Sequence, residues 1–376
     1  MIKPNSGYVD RGKQIIANEG MIIAFTRALS FIGNSFGIPL VKSLEGMKFR
    51  ASMNIITINL CRIFKSDKVY GHPYKLTVET GNLCNLRCAL CPMRWGSKTD
   101  VPRGFLSFKV FKKTIDELGK YLIEIDLFNW GEPFLNKDIF KIIKYAESKK
   151  IAVTVSSNLT YSNKDYAKKI VDSGLSHLIV SLDGASQETA EKYKRGTNFE
   201  RVIKNMAKIT EVKKKFNKKR PVVTWRILVN KYNENDIPRA RELAKSLGVA
   251  FSLGCIRCDT AKEIFMSLAE QYENIRPWLP SDERYSMYDY SKRRKKMVLC
   301  NDCSFLWTQS VINWDGSVLP CCTIFDPIYK FGNMLETPFR AIWNNEKYTS
   351  SRRLIAGGNS AIKTICNTCH NHEAMI

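Results

Sequence analysis

Histidine is almost missing from this chain of 376 residues: there are four, His72, His177, His370 and His372, and none sits in a chemical motif. His177 opens a candidate strand and reads as a packing residue, and the pair near the C-terminus reads as surface, so no general base can be named from the sequence. Acidic side chains are scarce as well. Against 59 Lys and Arg stand 36 Asp and Glu, a formal net charge of +23. Such a surface attracts nucleic acid, anionic lipid headgroups or a phosphorylated substrate, and charge alone does not choose among them. Runs such as Lys213-Lys214-Lys215, Lys218-Lys219-Arg220 and Arg293-Arg294-Lys295-Lys296 read equally well as solvated surface.

Long apolar runs are also lacking. The longest uncharged stretch, Ala28 to Val41, is shorter than the about 20 residues of a spanning helix and is broken by Gly33, Gly37 and Pro39. The basic, interrupted apolar segment 19–66 predicts a helical cap on the core, with a helix lying on a membrane surface as the alternative. Met1 to Asn18 is polar and has no apolar run followed by a small-residue cleavage site, so the expected location is cytoplasmic, with peripheral membrane contact if the surface-helix alternative holds. No segment is low in complexity and no short period repeats, which excludes solenoids and disordered chains. At about 150 residues per domain the length predicts two or three domains.

What the chain does have is cysteine, twelve in all. In a reducing compartment these read as metal ligands or reactive thiols and not as disulfides. From residue 74 onward short strands alternate with amphipathic helices. Candidate strands are Tyr74 to Thr80, Ile123 to Asn129, Ile151 to Ser156, His177 to Leu182, Val222 to Val229 and Val249 to Gly254. Phe111, Ile115, Leu118 and Leu122 mark a helix after an N-cap at Ser107. Six such units predict an α/β fold, a parallel sheet curling into a partial (β/α)6 TIM-like barrel, with chemistry at the carboxyl ends of the strands. The predicted divisions are an N-terminal helical extension over 1–70, the barrel over 71–255, a connecting region over 256–296 and a small cysteine-rich unit over 297–376.

Directly after the first strand stands Glu79-Thr80-Gly81-Asn82-Leu83-Cys84-Asn85-Leu86-Arg87-Cys88-Ala89-Leu90-Cys91-Pro92, a C-x3-C-x2-C pattern. Three thiolates can hold three irons of a 4Fe–4S cube and leave the fourth open to a ligand, whereas a closed structural cluster would want a fourth cysteine nearby. Buried free thiols or zinc are the alternatives.

This loop and its place after strand one resemble the radical S-adenosylmethionine (AdoMet, SAM) superfamily. The resemblance implies an open iron chelated by AdoMet and reductive cleavage to a 5′-deoxyadenosyl radical, with flavodoxin or ferredoxin as electron donor. Leu90 departs from the aromatic residue many members carry beside adenine. Asn129-Trp130-Gly131-Glu132-Pro133 resembles the family motif that receives the AdoMet ammonium, which assigns Gly131, Glu132 and Pro133. Ser156-Ser157-Asn158 resembles the ribose-binding stretch. Ser181-Leu182-Asp183-Gly184, with Arg195-Gly196 further on, resembles the segment that holds the AdoMet carboxylate through Ser181 and Arg195.

Near the C-terminus come Cys300-x2-Cys303, Cys321-Cys322 and Cys366-x2-Cys369, interspersed with Trp307, Trp314-Asp315-Gly316, Pro320, Gly332-Asn333 and Ile342-Trp343-Asn344. This resembles the SPASM and shorter twitch domains, which carry auxiliary iron–sulfur clusters. The C-x2-C-x5-C-x3-C run of the full pattern is missing, so a single auxiliary 4Fe–4S cluster is expected. Cys303, Cys321, Cys366 and Cys369 space like those of the one-cluster dehydrogenase that oxidises an aminocyclitol in butirosin biosynthesis, with Cys300 or Cys322 as substitutes. Cys255-x2-Cys258 could join Cys300 at another metal or be spare thiols. Together these resemblances imply an oxidoreductase acting on a polar small molecule such as a sugar or cyclitol, and the basic surface with the apolar N-terminal segment adds a lipid-linked substrate as an option. The alternatives are a peptide or protein maturase, and a metal-stapled nucleic-acid-binding protein; nucleic acid is not the expected partner.

Overall fold

The computed structural model describes residues 49–92, 101–160, 165–257, 266–296 and 303–369. Cys258, Cys300, His370, His372 and segment 1–48 lie outside them. In the unit Phe49–Ile376, the apolar residues that alternate along the strands become one buried face of a sheet. Its six parallel strands run in sequence order, β1 (Lys75–Val78), β2 (Glu124–Asp126), β3 (Ala152–Ser157), β4 (His177–Ser181), β5 (Val222–Val229) and β6 (Ala250–Cys255). All six fall on the predicted segments.

Right-handed crossovers between sequential neighbours put every connecting helix on the same side of such a sheet. Leu76, Ile125, Val153, Leu178 and Trp225 point to that side and are fully buried. Their neighbours Lys75, Asp126, Thr154, Ser181 and Arg226 point to the other side, which becomes a polar inner face. The helix after β1 spans Phe108–Leu118, capped by Ser107, whose hydroxyl accepts from the Val110 amide at 3.3 Å, and it buries Phe111, Ile115 and Leu118. It ends at Gly119, so Leu122, predicted as part of it, is instead buried in the turn leading to β2.

The cysteine-rich region does not form a separate layer. Its strand Gln309–Ile312 pairs in parallel with the free edge of β1, Lys75 beside Gln309 and Val78 beside Ile312, and strands Ser317–Leu319 and Gly332–Asn333 continue the sheet antiparallel. The sheet of nine strands stays open, with β6 at one edge and Gly332–Asn333 at the other. Arg352 is fully buried in this region, stacked on Trp343 and Tyr348 and donating from Nε to the Leu306 carbonyl at 2.8 Å.

Of segment 19–66, the described part is helix Phe49–Ile63, which buries Ala51, Ile58 and Cys61 and exposes Met53, Leu60 and Ile63. The region predicted to connect the two halves holds helix Leu268–Ile275 and a short ladder, Tyr288–Asp289 with Arg294–Lys295. Its Tyr272, Ile275, Leu279 and Tyr288 pack with Ala89, Tyr193 and Ile256 against Cys88 and Leu90. It is a wall of the site.

Candidate active site

The loop after β1 is held from both sides before it reaches its cysteines. Asn82 donates from Nδ2 to the Pro102 carbonyl at 2.8 Å and accepts from the Gly104 amide at 3.0 Å, while Asn136 donates to the carbonyls of Thr80 and Leu106 at 2.7 and 2.9 Å. Further along, the Arg87 amide donates to the Arg195 carbonyl at 3.0 Å and the Ala89 amide to the Tyr193 carbonyl at 2.9 Å. Between these anchors Cys84, Cys88 and Cys91 come together. Burial pushes the Cys84 thiol up to about 12, and the charges of Glu132, Cys88 and Cys91 add to it. Cys88 is raised by burial too, with Lys194 pulling the other way. Thiols so placed are neutral by themselves and become thiolates once a cationic metal centre binds.

Gly131 lets a second loop approach. A Cβ there would stand 2.1 Å from the Gly81 carbonyl oxygen and 2.8 Å from that of Leu83, so no larger residue fits. Glu132, expected in the cofactor motif, is fully buried and spends its carboxylate on the protein: Ser157 Oγ and the amides of Asn158 and Phe134 donate to it at 2.7, 2.8 and 3.1 Å. Burial raises its pKa and these bonds oppose the rise. Glu132 thereby splices the end of β3 to the short 3-10 helix Pro133–Leu135, while Asn158 reaches on to Asn85 Oδ1 at 2.9 Å and towards Cys84 Sγ at 3.8 Å. Ser156 and Ser181 share a hydrogen bond of 3.1 Å on the inner face.

Arg195 is exposed, and the side chain inside is Lys194. Its Nζ lies 3.4 Å from Asp183 Oδ2. Burial works against its charge, but Asp183 and Cys88 outweigh that and keep the ammonium protonated. Local pattern could not show this, because helix Gln187–Tyr193 ends just before Lys194 and the chain turns at Gly196, so no helical periodicity sets which of Lys194 and Arg195 faces inward.

The auxiliary cysteines converge in the same way. Cys303 is held well above the usual thiol range by burial and then by Cys366, Cys321 and Cys369, and Cys366 is pushed up to about 12 by burial. Cys322 turns elsewhere. Burial raises its pKa first, and the charges around it belong to Cys321, Arg257 and Asp126, the last on the inner face of β2. The Trp130 ring meets Phe325 edge to face at 5.6 Å, tying the Gly131 loop to the auxiliary region. Cys255, at the end of β6, is exposed.

Among the described residues no three His, Cys, Asp or Glu side chains close in as they would around a single metal ion. A four-iron cube spaces its thiolates more widely, and both groups suit it: three thiols beside a protonated lysine, and four thiols feeling one another's charge. Two buried donors in the Gly131 loop, Asn129 Nδ2 and Trp130 Nε1, have no acceptor among the described residues, as fits a site that binds a polar group.

Residues 78–244 match the family described as the radical SAM superfamily, and residues 303–370 match that described as a SPASM iron–sulfur cluster-binding domain. The chain carries a radical SAM domain and a C-terminal SPASM domain. Those domains imply a 4Fe–4S cluster with AdoMet and an auxiliary cluster. The chain is 28% identical to the AdoMet-dependent heme synthase of Methanosarcina barkeri, over 70% of this chain and 79% of that protein. It is 24% identical to mycofactocin maturase MftC of Mycolicibacterium smegmatis, over 76% of this chain and 69% of that protein. Streptococcus suis SuiB, solved bound to precursor peptide SuiA, shares the fold with a TM-score of 0.56 at 16% identity, over 96% of this chain and 85% of that one.

Proposed function

We propose that this radical SAM enzyme is an oxidoreductase that removes hydrogen from a C–H bond of a polar small molecule and passes the remaining electron to the auxiliary cluster. The observation that carries this reading is the position of the auxiliary cysteines. Phe325, shortly after Cys321, meets Trp130 of the Gly131 loop edge to face at 5.6 Å, so an electron acceptor held by Cys303, Cys321, Cys366 and Cys369 would border the cofactor loop.

Cys84, Cys88 and Cys91 would hold the cluster that, once loaded with AdoMet and reduced by a flavodoxin- or ferredoxin-type donor, supplies the abstracting radical. Lys194 offers a protonated ammonium for the AdoMet carboxylate, a role the sequence motif gave to Arg195 together with Ser181. Gly131 and Glu132 shape the loop whose backbone faces the AdoMet amine, with Glu132 acting through the loop. Ser157 is committed to Glu132 and the Asn158 side chain to Asn85 and Thr160, which leaves Ser156 for the ribose hydroxyls. Tyr272, Ile275, Leu279 and Tyr288 exclude water beside Cys88 and Leu90.

A small-molecule substrate accords with the relative named a heme synthase; a peptide maturase is the second reading, favoured by the relative named a mycofactocin maturase. The lipid-linked version of the substrate rests on the exposed Met53, Leu60, Ile63 and Phe64. No helix among the described residues is long and apolar enough to cross a membrane.

The test is anaerobic reconstitution with iron and sulfide, iron counting, and 5′-deoxyadenosine release from AdoMet and dithionite. About eight irons, with deoxyadenosine formed by wild type and not by Cys88→Ala, supports the reading. Zinc in place of iron and no deoxyadenosine would sink it.

A further inference from the structure

Two of the cations around the site are neutralised by the protein. Lys75 pairs with Glu124 and Asp126 at 3.0 and 2.9 Å, and Lys194 pairs with Asp183 at 3.4 Å. The side chain of another, Arg226, makes no hydrogen bond or ion pair among the described residues. It lies in the middle of β5 on the helix-free inner face, near enough to Asp183 to lower that carboxyl's pKa but not bonded to it.

Its surroundings are arranged. Arg226 sits in register with Ser181 on β4 and with Ser252 on β6, so three polar side chains stand in a row on the same face, about 4.8 Å apart from strand to strand. The guanidinium lies over Gly254: a Cβ there would come within 3.0 Å of both Nε and Nη2. Arg226 is exposed on this face, and the glycine on β6 leaves the room its guanidinium takes.

A planar, permanently charged fork with no internal partner, flanked by hydroxyls, matches a carboxylate or a phosphate, which can accept two parallel N–H bonds. The AdoMet carboxylate already has Lys194. We infer that Arg226, with Ser252 beside it, binds an anionic group of the substrate, a carboxylate or a phosphate, and so sets the position of the substrate on the inner face. This inference rests on the radical SAM reading and names the substrate class of that same site.

The experiment uses reconstituted, AdoMet-loaded holoenzyme. Methyl phosphate and, separately, succinate are titrated calorimetrically at constant ionic strength into wild type, Arg226→Gln and Gly254→Val. Binding of at least one probe by wild type, weakened about ten- to hundredfold in both variants as the loss of a charged hydrogen-bond pair requires, supports the assignment. The tighter probe tells phosphate from carboxylate. Equal probe binding in wild type and Arg226→Gln, or no probe binding to wild type, overturns it. AdoMet affinity, measured in parallel, serves as the control. A comparable loss of AdoMet affinity in Arg226→Gln would place the arginine in the cofactor site and also overturn the inference, while deoxyadenosine formation by wild type would show that the radical reading itself survives.

Discussion

Lys194 and Asp183 form a buried pair, Nζ to Oδ2 at 3.4 Å, with the carboxylate wholly out of solvent and also accepting from the Leu228 amide at 2.8 Å. The pair links the end of helix Gln187–Tyr193 to the end of β4, and the lysine's charge reaches Cys88. Lys194→Gln removes the cation and leaves the buried acid alone, a loss of ~3–5 kcal/mol, whereas Lys194→Arg keeps the charge. AdoMet binding should fall about ten- to hundredfold in Lys194→Gln and largely recover in Lys194→Arg. Wild-type AdoMet affinity in Lys194→Gln would remove the lysine from the site.

The two adjacent thiols Cys321 and Cys322 should behave differently. Cys321 shares its surroundings with Cys303, and Cys322 faces Asp126 and Arg257. Reconstituted Cys321→Ser should hold about four irons fewer than wild type, and Cys322→Ser should hold the full number. The reverse pattern by iron assay would exchange their roles.

Gly131 is a steric requirement for the cofactor loop. Gly131→Ala puts a methyl group 2.1 Å from the Gly81 carbonyl oxygen, where only backbone can give way. A destabilisation of ~1–3 kcal/mol should accompany poor iron incorporation. An alanine variant with unchanged Tm and iron content would show that the two loops do not need this approach.

Glu79 gives a pH signature. Burial pushes its carboxyl up to about 8 against a hydrogen bond from the Trp314 amide, and Asp315 adds to the rise. The fold therefore keeps a proton that the unfolded chain releases above its ordinary value of 4.5. The stability this contributes is present below that value and is lost as pH rises through about 8. Glu79→Gln should match wild type near pH 5 and be the more stable of the two near pH 8. Chemical denaturation giving the same pH slope for both proteins would contradict this.

Local pattern carried much of the fold. Strands β1 to β6 were legible because apolar residues recur at every second position in each, and the Ser107 cap because a hydroxyl satisfies the first free amides of a helix. The cysteine loop was legible because Cys84, Cys88 and Cys91 stand together in the chain as C-x3-C-x2-C. The fate of Glu132 was not legible: a sequence cannot show that Ser157 and Asn158 fold back to consume its carboxylate.

By itself, then, the sequence determined the class of chemistry and the order of its motifs, because spacing along the chain governs ligand loops and helix faces. Tertiary structure decided the rest. It alone paired Gln309–Ile312 with the free edge of β1, turned Lys194 inward in place of Arg195, and set the Arg226 side chain over Gly254 with no ion-pair partner among the described residues. Each of these depends on segments far apart in sequence being brought within a few ångströms, where charge, burial and strand pairing act across space and leave no local trace in the chain.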